Sequence, residues 1–337
     1  MPVNTAEDVT GRMSQAALDA ALDAIVCIDA AGRVLDLNPA AERMFGYARE
    51  HVVGQEIVEL IIPPRHQERH RQGLRRAVAG EAGALLGRRM ELQALRSDGS
   101  IFPVELAVTR LAGEPPTFAG FVRDITERRI AELDRRERVA RQGLIVALGQ
   151  RALAGVDLVT LTGEALATVS QTLDVGVGGA LEIDDAGQLR RVAAVQDGFP
   201  VDPGEMVGEP EEVVTRRVIA AGAPVILEGD ELRSLLRDTG RAGVDVDVGA
   251  VLAVPVRGGG KPSGVIAFTG HGREVFAPDD IVFVEAMATI LGTAVARRRA
   301  EEHAEHLTVH DALTGLPNRA LFHDRVEQAL GRGWAGR

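Results

Sequence analysis

The chain has 337 residues, of which 45% are hydrophobic and 26% charged, and a formal net charge of −11, as expected of two or three globular domains. The acidic balance argues against nucleic acid as a partner, because that binding is driven by basic surface, and an aromatic content of 3% leaves no platform for stacking bases. No apolar run reaches the ~18–20 residues of a membrane span. Residues 1–8 carry no signal-peptide pattern. The single cysteine, Cys27, excludes an intrachain disulfide and a Cys-based zinc site; a cytoplasmic protein is expected.

Residues 4–21 read as an amphipathic lead-in helix, with Met13, Ala16, Ala17, Ala20 and Ala21 near helical spacing. The β-rich run Ala24–Asp29 and the strand Val34–Leu37 flank a turn containing Gly32, which predicts a hairpin. Asn38 then caps a helix that has Pro39 in its first turn. Short helical pieces run to about Ala79, followed by strands at Arg89–Arg96, Ile101–Arg110 and Thr117–Thr126, the first two joined by the turn Ser97-Asp98-Gly99-Ser100. Asp36-Leu37-Asn38-Pro39-Ala40-Ala41, Met44-Phe45-Gly46-Tyr47 and Gly120-Phe121-Val122-Arg123-Asp124-Ile125-Thr126-Glu127-Arg128 resemble the corner, the next stretch and the terminal signature of a PAS domain. Residues 1–13 are the lead-in and 14–126 the PAS-like domain.

From Glu127 the chain is helical and charged, with Ile130, Leu133, Ala140, Leu144 and Ala147 on a three-four spacing that Glu137 interrupts. Residues 127–142 are read as a helical linker, either solvated or a parallel coiled coil; the PAS resemblance favours a homodimer. Within 143–297 a helix Leu144–Leu173 precedes strands at Val177–Ile183 and Leu189–Val195. A helix Glu211–Ala221, a short apolar run to Glu228, and strands Gly249–Arg257 and Gly264–Thr269 follow. A final helix starts near Asp279 or Asp280 as cap, with Phe276 as a hydrophobic staple. Ala253-Val254-Pro255-Val256, Gly264-Val265-Ile266-Ala267-Phe268 and Phe276-Ala277-Pro278-Asp279-Asp280 resemble a GAF domain. The fold class expected is α+β: a PAS domain and a GAF domain, each an antiparallel sheet with helices, joined by long helical linkers, the second at 298–310.

Asp311-Ala312-Leu313-Thr314-Gly315-Leu316-Pro317-Asn318-Arg319 resembles the signature that opens the GGDEF family, which makes cyclic di-GMP. Gly315 permits a conformation closed to other residues, Pro317 fixes φ, and Asn318 is a good helix cap. The stretch 311–337 is shorter than the ~50 residues of the smallest ordinary domains, and the Gly-Gly-Asp/Glu-Glu-Phe loop occurs nowhere in the 337 residues. It is expected to be the truncated start of that domain.

His70 is the main candidate for chemistry. Arg69-His70-Arg71-Gln72-Gly73-Leu74 resembles the helix that supplies the proximal haem ligand in oxygen-sensing PAS domains, where a neutral imidazole ligates iron. The alternative is a solvated or helix-capping histidine. By spacing, the distal gas-contacting position of that group falls on Met90, with Arg88 and Arg89 nearby. Cys27 reads as a buried, inert thiol. Gly258-Gly259-Gly260-Lys261 lacks phosphate-loop spacing and reads as a hairpin loop. His303, His306 and His310 share a helix face and read as surface residues.

The expectation is a signal-sensing PAS–GAF regulatory module that controls a GGDEF output, with an unknown small-molecule ligand in either domain and no catalysis by this chain. The resemblance implies GTP and Mg²⁺ only in the missing output domain, and a full-length diguanylate cyclase in which a phosphodiesterase domain can follow. The alternative is a stand-alone PAS–GAF module that dimerises with and acts on a partner, or, on His70 alone, a haem-based gas sensor.

Overall fold

The computed structural model describes residues 16–81, 87–184, 186–202, 208–238, 248–271 and 276–309. It divides into two units, Met1–Arg136 and Glu137–Arg337. Each is an antiparallel sheet with helices packed on it, so the class is α+β as expected. The Asp311–Arg319 string and the lead-in, residues 1–13, lie outside the described residues; of the helix expected over 4–21, residues 16–20 are helical.

In the first unit the strands are β1 (Ala24–Ile28), β2 (Val34–Leu37), β3 (Arg89–Leu95), β4 (Ile101–Leu111) and β5 (Thr117–Asp124). Their order is β2-β1-β5-β4-β3, which leaves β3 at an edge. Between β2 and β3 run α1 (Pro39–Phe45), α2 (Arg49–Val52), α3 (Ile57–Ile61), a 3₁₀ turn (Pro64–His66) and α4 (Gln67–Val78). Alternation on β4 explains the layering: Phe102 and Val104 are buried with Val26, Phe45 and Ile57 in one cluster, whereas Ile101 is half exposed. Cys27 is half buried on β1 rather than fully buried as expected, and burial and then Asp36 push its thiol up, which disfavours the reactive thiolate.

Asn38 caps α1 as expected, and its role extends beyond the cap. Its Oδ1 accepts from the Ala41 amide at 3.0 Å and from Ile25 on β1 at 2.9 Å. Its Nδ2 donates to the carbonyls of Leu18 and Asp23, both at 3.1 Å. One buried amide therefore joins helix, strand and the preceding segment.

The sheet hands over to α5 (Thr126–Leu153) through Asp124. Its Oδ1 accepts from the amide and hydroxyl of Thr126 at 2.8 and 2.6 Å, the cap chemistry that starts a helix. Its other oxygen takes the Arg96 guanidinium at 2.6 Å, and Arg96 also lies 3.6 Å over the Phe102 ring. Burial opposes ionisation of Asp124, but the Thr126 hydrogen bonds and Arg96 together hold its carboxyl below the usual range.

The second unit contains α6 (Leu158–Leu173), β6 (Val177–Ile183), β7 (Leu189–Gln196), β8 (Phe199–Val201), α7 (Glu209–Ala221), β9 (Val225–Glu228), α8 (Gly229–Asp238), β10 (Val248–Arg257), β11 (Pro262–His271) and α9 (Pro278–Val309). The sheet order is β8-β7-β6-β11-β10-β9. On β10, Leu252 and Val254 face one cluster, built with Leu161 and Leu166 of α6 and Val284, Met287 and Leu291 of α9. Ala253 faces another, with Val214 and Val218 of α7 and Leu232 of α8. Cover on both faces is why this antiparallel strand reads as a continuous apolar run.

Three sequence expectations change here. The helix expected over Leu144–Leu173 is two: α5 stops at Leu153, Gly155 takes φ 78°, and Asp157 starts α6 by accepting from Thr160 N at 3.0 Å. A left-handed glycine followed by an acidic cap ends one helix and opens another. β8 and α8 were not anticipated. Neither Asp279 nor Asp280 is the cap of α9; Asp280 instead reaches back to accept from Ala277 N at 2.9 Å, the N3 half of a capping box. Phe276 is buried in the core cluster that Ile281 also packs against, the two positions a staple would join. The glycine stretch Gly258–Gly260 joins β10 to β11 as a hairpin loop.

Of the expected α5 seam, Ile130 is 54%, Leu133 56% and Leu144 37% exposed; the α5 residues that pack into the second unit's core are instead Ile145, Leu148 and Ala152. His303 is exposed, and His306 and His310 fall where side chains are not described. Among the described residues, no helix is long and apolar enough to cross a membrane.

Candidate functional site

The first unit holds a cavity of about 650 Å³ that opens to the surface, within the ~300–1,000 Å³ typical of small-molecule sites. Helix α4 forms one wall and the inner faces of β3, β4 and β5 the other. The reason lies in the spacing: Arg69 and His70, then Gly73, then Arg76 and Ala77 recur at three to four residues and share one helix face. Gly73 widens the space, since a Cβ there would meet no atom within 4 Å. The body of the cavity is apolar, from Ile28, Ile62, Leu74, Leu106, Val108 and Phe118. A second depression, between α6, α9 and the sheet of the other unit, measures about 60 Å³ and is too small for an organic ligand.

His70 lines the large cavity. Its Nδ1 is buried without a hydrogen-bond partner, and burial, with help from Arg71, lowers its pKa. It does not cap the helix, and although the residue as a whole is half-buried, its Nδ1 is kept from water and burial disfavours the protonated imidazole. Such a group can ligate a metal or hydrogen-bond a ligand. Met90 lines the same cavity. Among the described residues no group of three or more His, Cys, Asp or Glu is placed to hold a bare metal ion.

Sequence reasoning missed the polar rim. Arg129, in the first turns of α5, and Glu91, on edge strand β3, both reach the cavity. Arg129 Nη2 donates to Glu91 Oε2 at 2.6 Å, and Arg128 donates to the other Glu91 oxygen. The Arg129 hydrogen bond is the main cause that holds the Glu91 carboxyl below its ordinary range. In sequence Arg128-Arg129 belongs to a charged run that reads as a solvated face; only β3 pairing places Glu91 opposite them.

The family model of the PAS fold matches residues 12–125, and that of the GAF domain matches residues 155–296. The chain carries a PAS domain and a GAF domain. The cavity thus belongs to the PAS domain and the two-faced sheet of the second unit to the GAF domain. Among relatives, an uncharacterised protein of Azorhizobium caulinodans is 44% identical over 123 residues, covering 35% of this chain and 17% of that protein. The sensor protein FixL of Bradyrhizobium diazoefficiens is 33% identical over 106 residues, covering 31% of this chain and 21% of FixL. The oxygen sensor protein DosP of Escherichia coli is 29% identical over 125 residues, covering 37% of this chain and 16% of DosP. In each case the similarity spans about a fifth or less of the relative's length.

Proposed function

We propose that this PAS–GAF chain is the sensory part of a signalling protein with a GGDEF output, and that its signal-bearing ligand sits in the PAS cavity. The observation that carries this reading is the cavity itself: roomy, apolar and rimmed by Arg129 of the helix that leads out of the domain. A ligand that binds one arrangement of that helix better than another shifts its population. Support for the output comes from the Asp311–Arg319 string, and α9 is the helix whose sequence continues into it. The exposed Ile130 and Leu133 supply an apolar stripe for a homodimer. The same stripe suits the second reading, a stand-alone module that pairs with a partner.

The chain lacks the Gly-Gly-Asp/Glu-Glu-Phe loop, so purified protein incubated with GTP and Mg²⁺ is expected to yield no cyclic di-GMP by chromatography. Formation of the product would overturn this assignment of sensing without catalysis.

For the ligand, the residues fit haem. His70, whose Nδ1 is buried without a partner, would hold its iron, and the apolar walls would shelter the ring. Haem would supply an iron that binds a diatomic gas, and the relative DosP is named as an oxygen sensor. The role of this chain's residues is then to hold the group through His70, exclude water from it, and pass its state to α5. Reconstitution with haemin is expected to give a Soret band that His70→Ala weakens at least tenfold in titration. Absence of the band at saturating haemin would remove haem from the account and leave the cavity to another ligand.

A further inference from the structure

The PAS cavity has an apolar body and an unbalanced rim. Arg69, Arg76 and Arg129 reach it against the single carboxylate of Glu91. Among the described residues Arg69 and Arg76 have no carboxylate partner, unlike their neighbours Arg71 and Arg75 on α4. Glu91 is shared. It accepts from Arg129 at 2.6 Å and from Arg128, and Arg128 lies 3.7 Å from Glu105 on β4 as well. These contacts tie the first turns of α5 to the sheet, and one of them borders the ligand space.

Resting on the reading that this cavity is the ligand site, we infer that its ligand is an apolar molecule bearing a carboxylate, and that the carboxylate draws Arg129 away from Glu91. The ligand would thereby release one of the ties between α5 and edge strand β3. The charges stay balanced after the exchange: Arg129 pairs with the ligand, Glu91 keeps Arg128, and Arg128 keeps Glu105 within reach. Both members of the Arg129–Glu91 pair are about half exposed, and pairs of that kind add little to stability. Replacing one carboxylate by another is therefore close to neutral, so a modest difference in ligand affinity can move the helix. Arg69 and Arg76 add attraction without a competing partner. Arg129 is in this account both a specificity residue and the link from the cavity to the helix.

Two sources of such a carboxylate, a porphyrin and a free organic acid, are separated by the probes used. The full chain is titrated with decanoate and 1-decanol, and separately with haemin and haemin dimethyl ester, while amide hydrogen exchange is followed over residues 126–133. The expected result is that in at least one pair the acid binds tenfold or more tightly than its neutral counterpart. Arg129→Gln should cut that preference several-fold, leaving the part that Arg69 and Arg76 supply, without weakening the neutral probe, and Glu91→Gln should tighten the acid several-fold. Exchange over 126–133 should rise when the acid binds, and should already be raised in ligand-free Glu91→Gln. Equal binding of acid and neutral probe, or an unchanged preference in Arg129→Gln, overturns the inference while the cavity reading stands. An acid that binds tightly without changing the exchange overturns the release of the helix. Failure of all four probes to bind overturns the cavity reading together with this one.

Discussion

Gly292→Ala is expected to destabilise the GAF domain by on the order of 4 kcal/mol, among the largest effects a single methyl group produces. Gly292 is where α9 crosses the end of β10. A Cβ on it would stand nearest the carbonyl oxygen of Arg257, 2.6 Å from the carbonyl carbon and 2.9 Å from the nitrogen of that residue. All three atoms are backbone, so no side chain can swing aside and the helix itself must lift. The cost then spreads along the helix, because Val284, Met287, Ala288 and Leu291 of α9 are each no more than 2% exposed, and full burial of a large aliphatic side chain contributes roughly 1.5–3 kcal/mol. Losing a fraction of that burial at Val284, Met287 and Leu291, with less at Ala288 and with residual overpacking, reaches the expected figure. Urea unfolding of the full chain, with hydrogen exchange to separate the domains, should show the GAF transition moving and the PAS transition staying. Gly163→Ala is the control: this α6 glycine would meet nothing within 4 Å, and alanine there should be neutral or stabilising by about 0.5–1 kcal/mol. A loss below about 1 kcal/mol for Gly292→Ala, on the scale of ordinary substitutions, would sink the argument. Because α9 also leads toward the Asp311 string, its close seat on β10 sets where the chain leaves the domain.

Asn38→Ala is expected to cost the PAS domain about 3 kcal/mol, more than the ~1 kcal/mol of an ordinary cap. The residue is 5% exposed, and all four of its side-chain hydrogen bonds go to backbone groups of Leu18, Asp23, Ile25 and Ala41. Alanine leaves amides and carbonyls without partners in a site closed to water, and each unsatisfied buried group costs roughly 1–3 kcal/mol before relaxation. Asn38→Asp keeps the acceptor for Ile25 and Ala41 but sets a carboxylate oxygen against the carbonyls of Leu18 and Asp23 in a buried site, so at neutral pH its loss should be at least that of alanine. Thermal unfolding of the three proteins at one pH checks the order. Equal stability of Asn38→Ala and the parent chain would show that water or local rearrangement replaces the amide.

These two residues differ in how far they could be read in advance. Asn38 followed by Pro39 announces a helix start in any fold, and its capping bond is local. Its bonds to Ile25 and Leu18 are not, because they need β1 and the preceding segment to return beside the helix. Gly292 carries no local signal at all; within an apolar helical stretch it looks like a weak point. Only the approach of Arg257 from a strand far away in sequence makes it obligatory. The break at Gly155-Val156-Asp157 was legible in principle, as a left-handed glycine and an acidic cap, but strong helical pattern on both sides masked it. β8 was missed because three residues are too few to show a period.

The sequence by itself determined the α+β class, most strand positions and the PAS and GAF resemblances. Those depend on alternation, caps and turn residues, which act over a few positions and survive in any tertiary context. It also placed His70 on a helix with Gly73 and Ala77, since that spacing is a property of the helix. The tertiary structure alone decided that this helix face looks into a 650 Å³ cavity, that Nδ1 of the imidazole there is buried without a partner, and that Glu91 meets Arg129 at its rim. Those facts follow from which strand is at the edge and from register between elements distant in the chain. Nearest-neighbour patterning does not carry that information, because a carboxylate and a guanidinium find each other only once the backbone between them has folded.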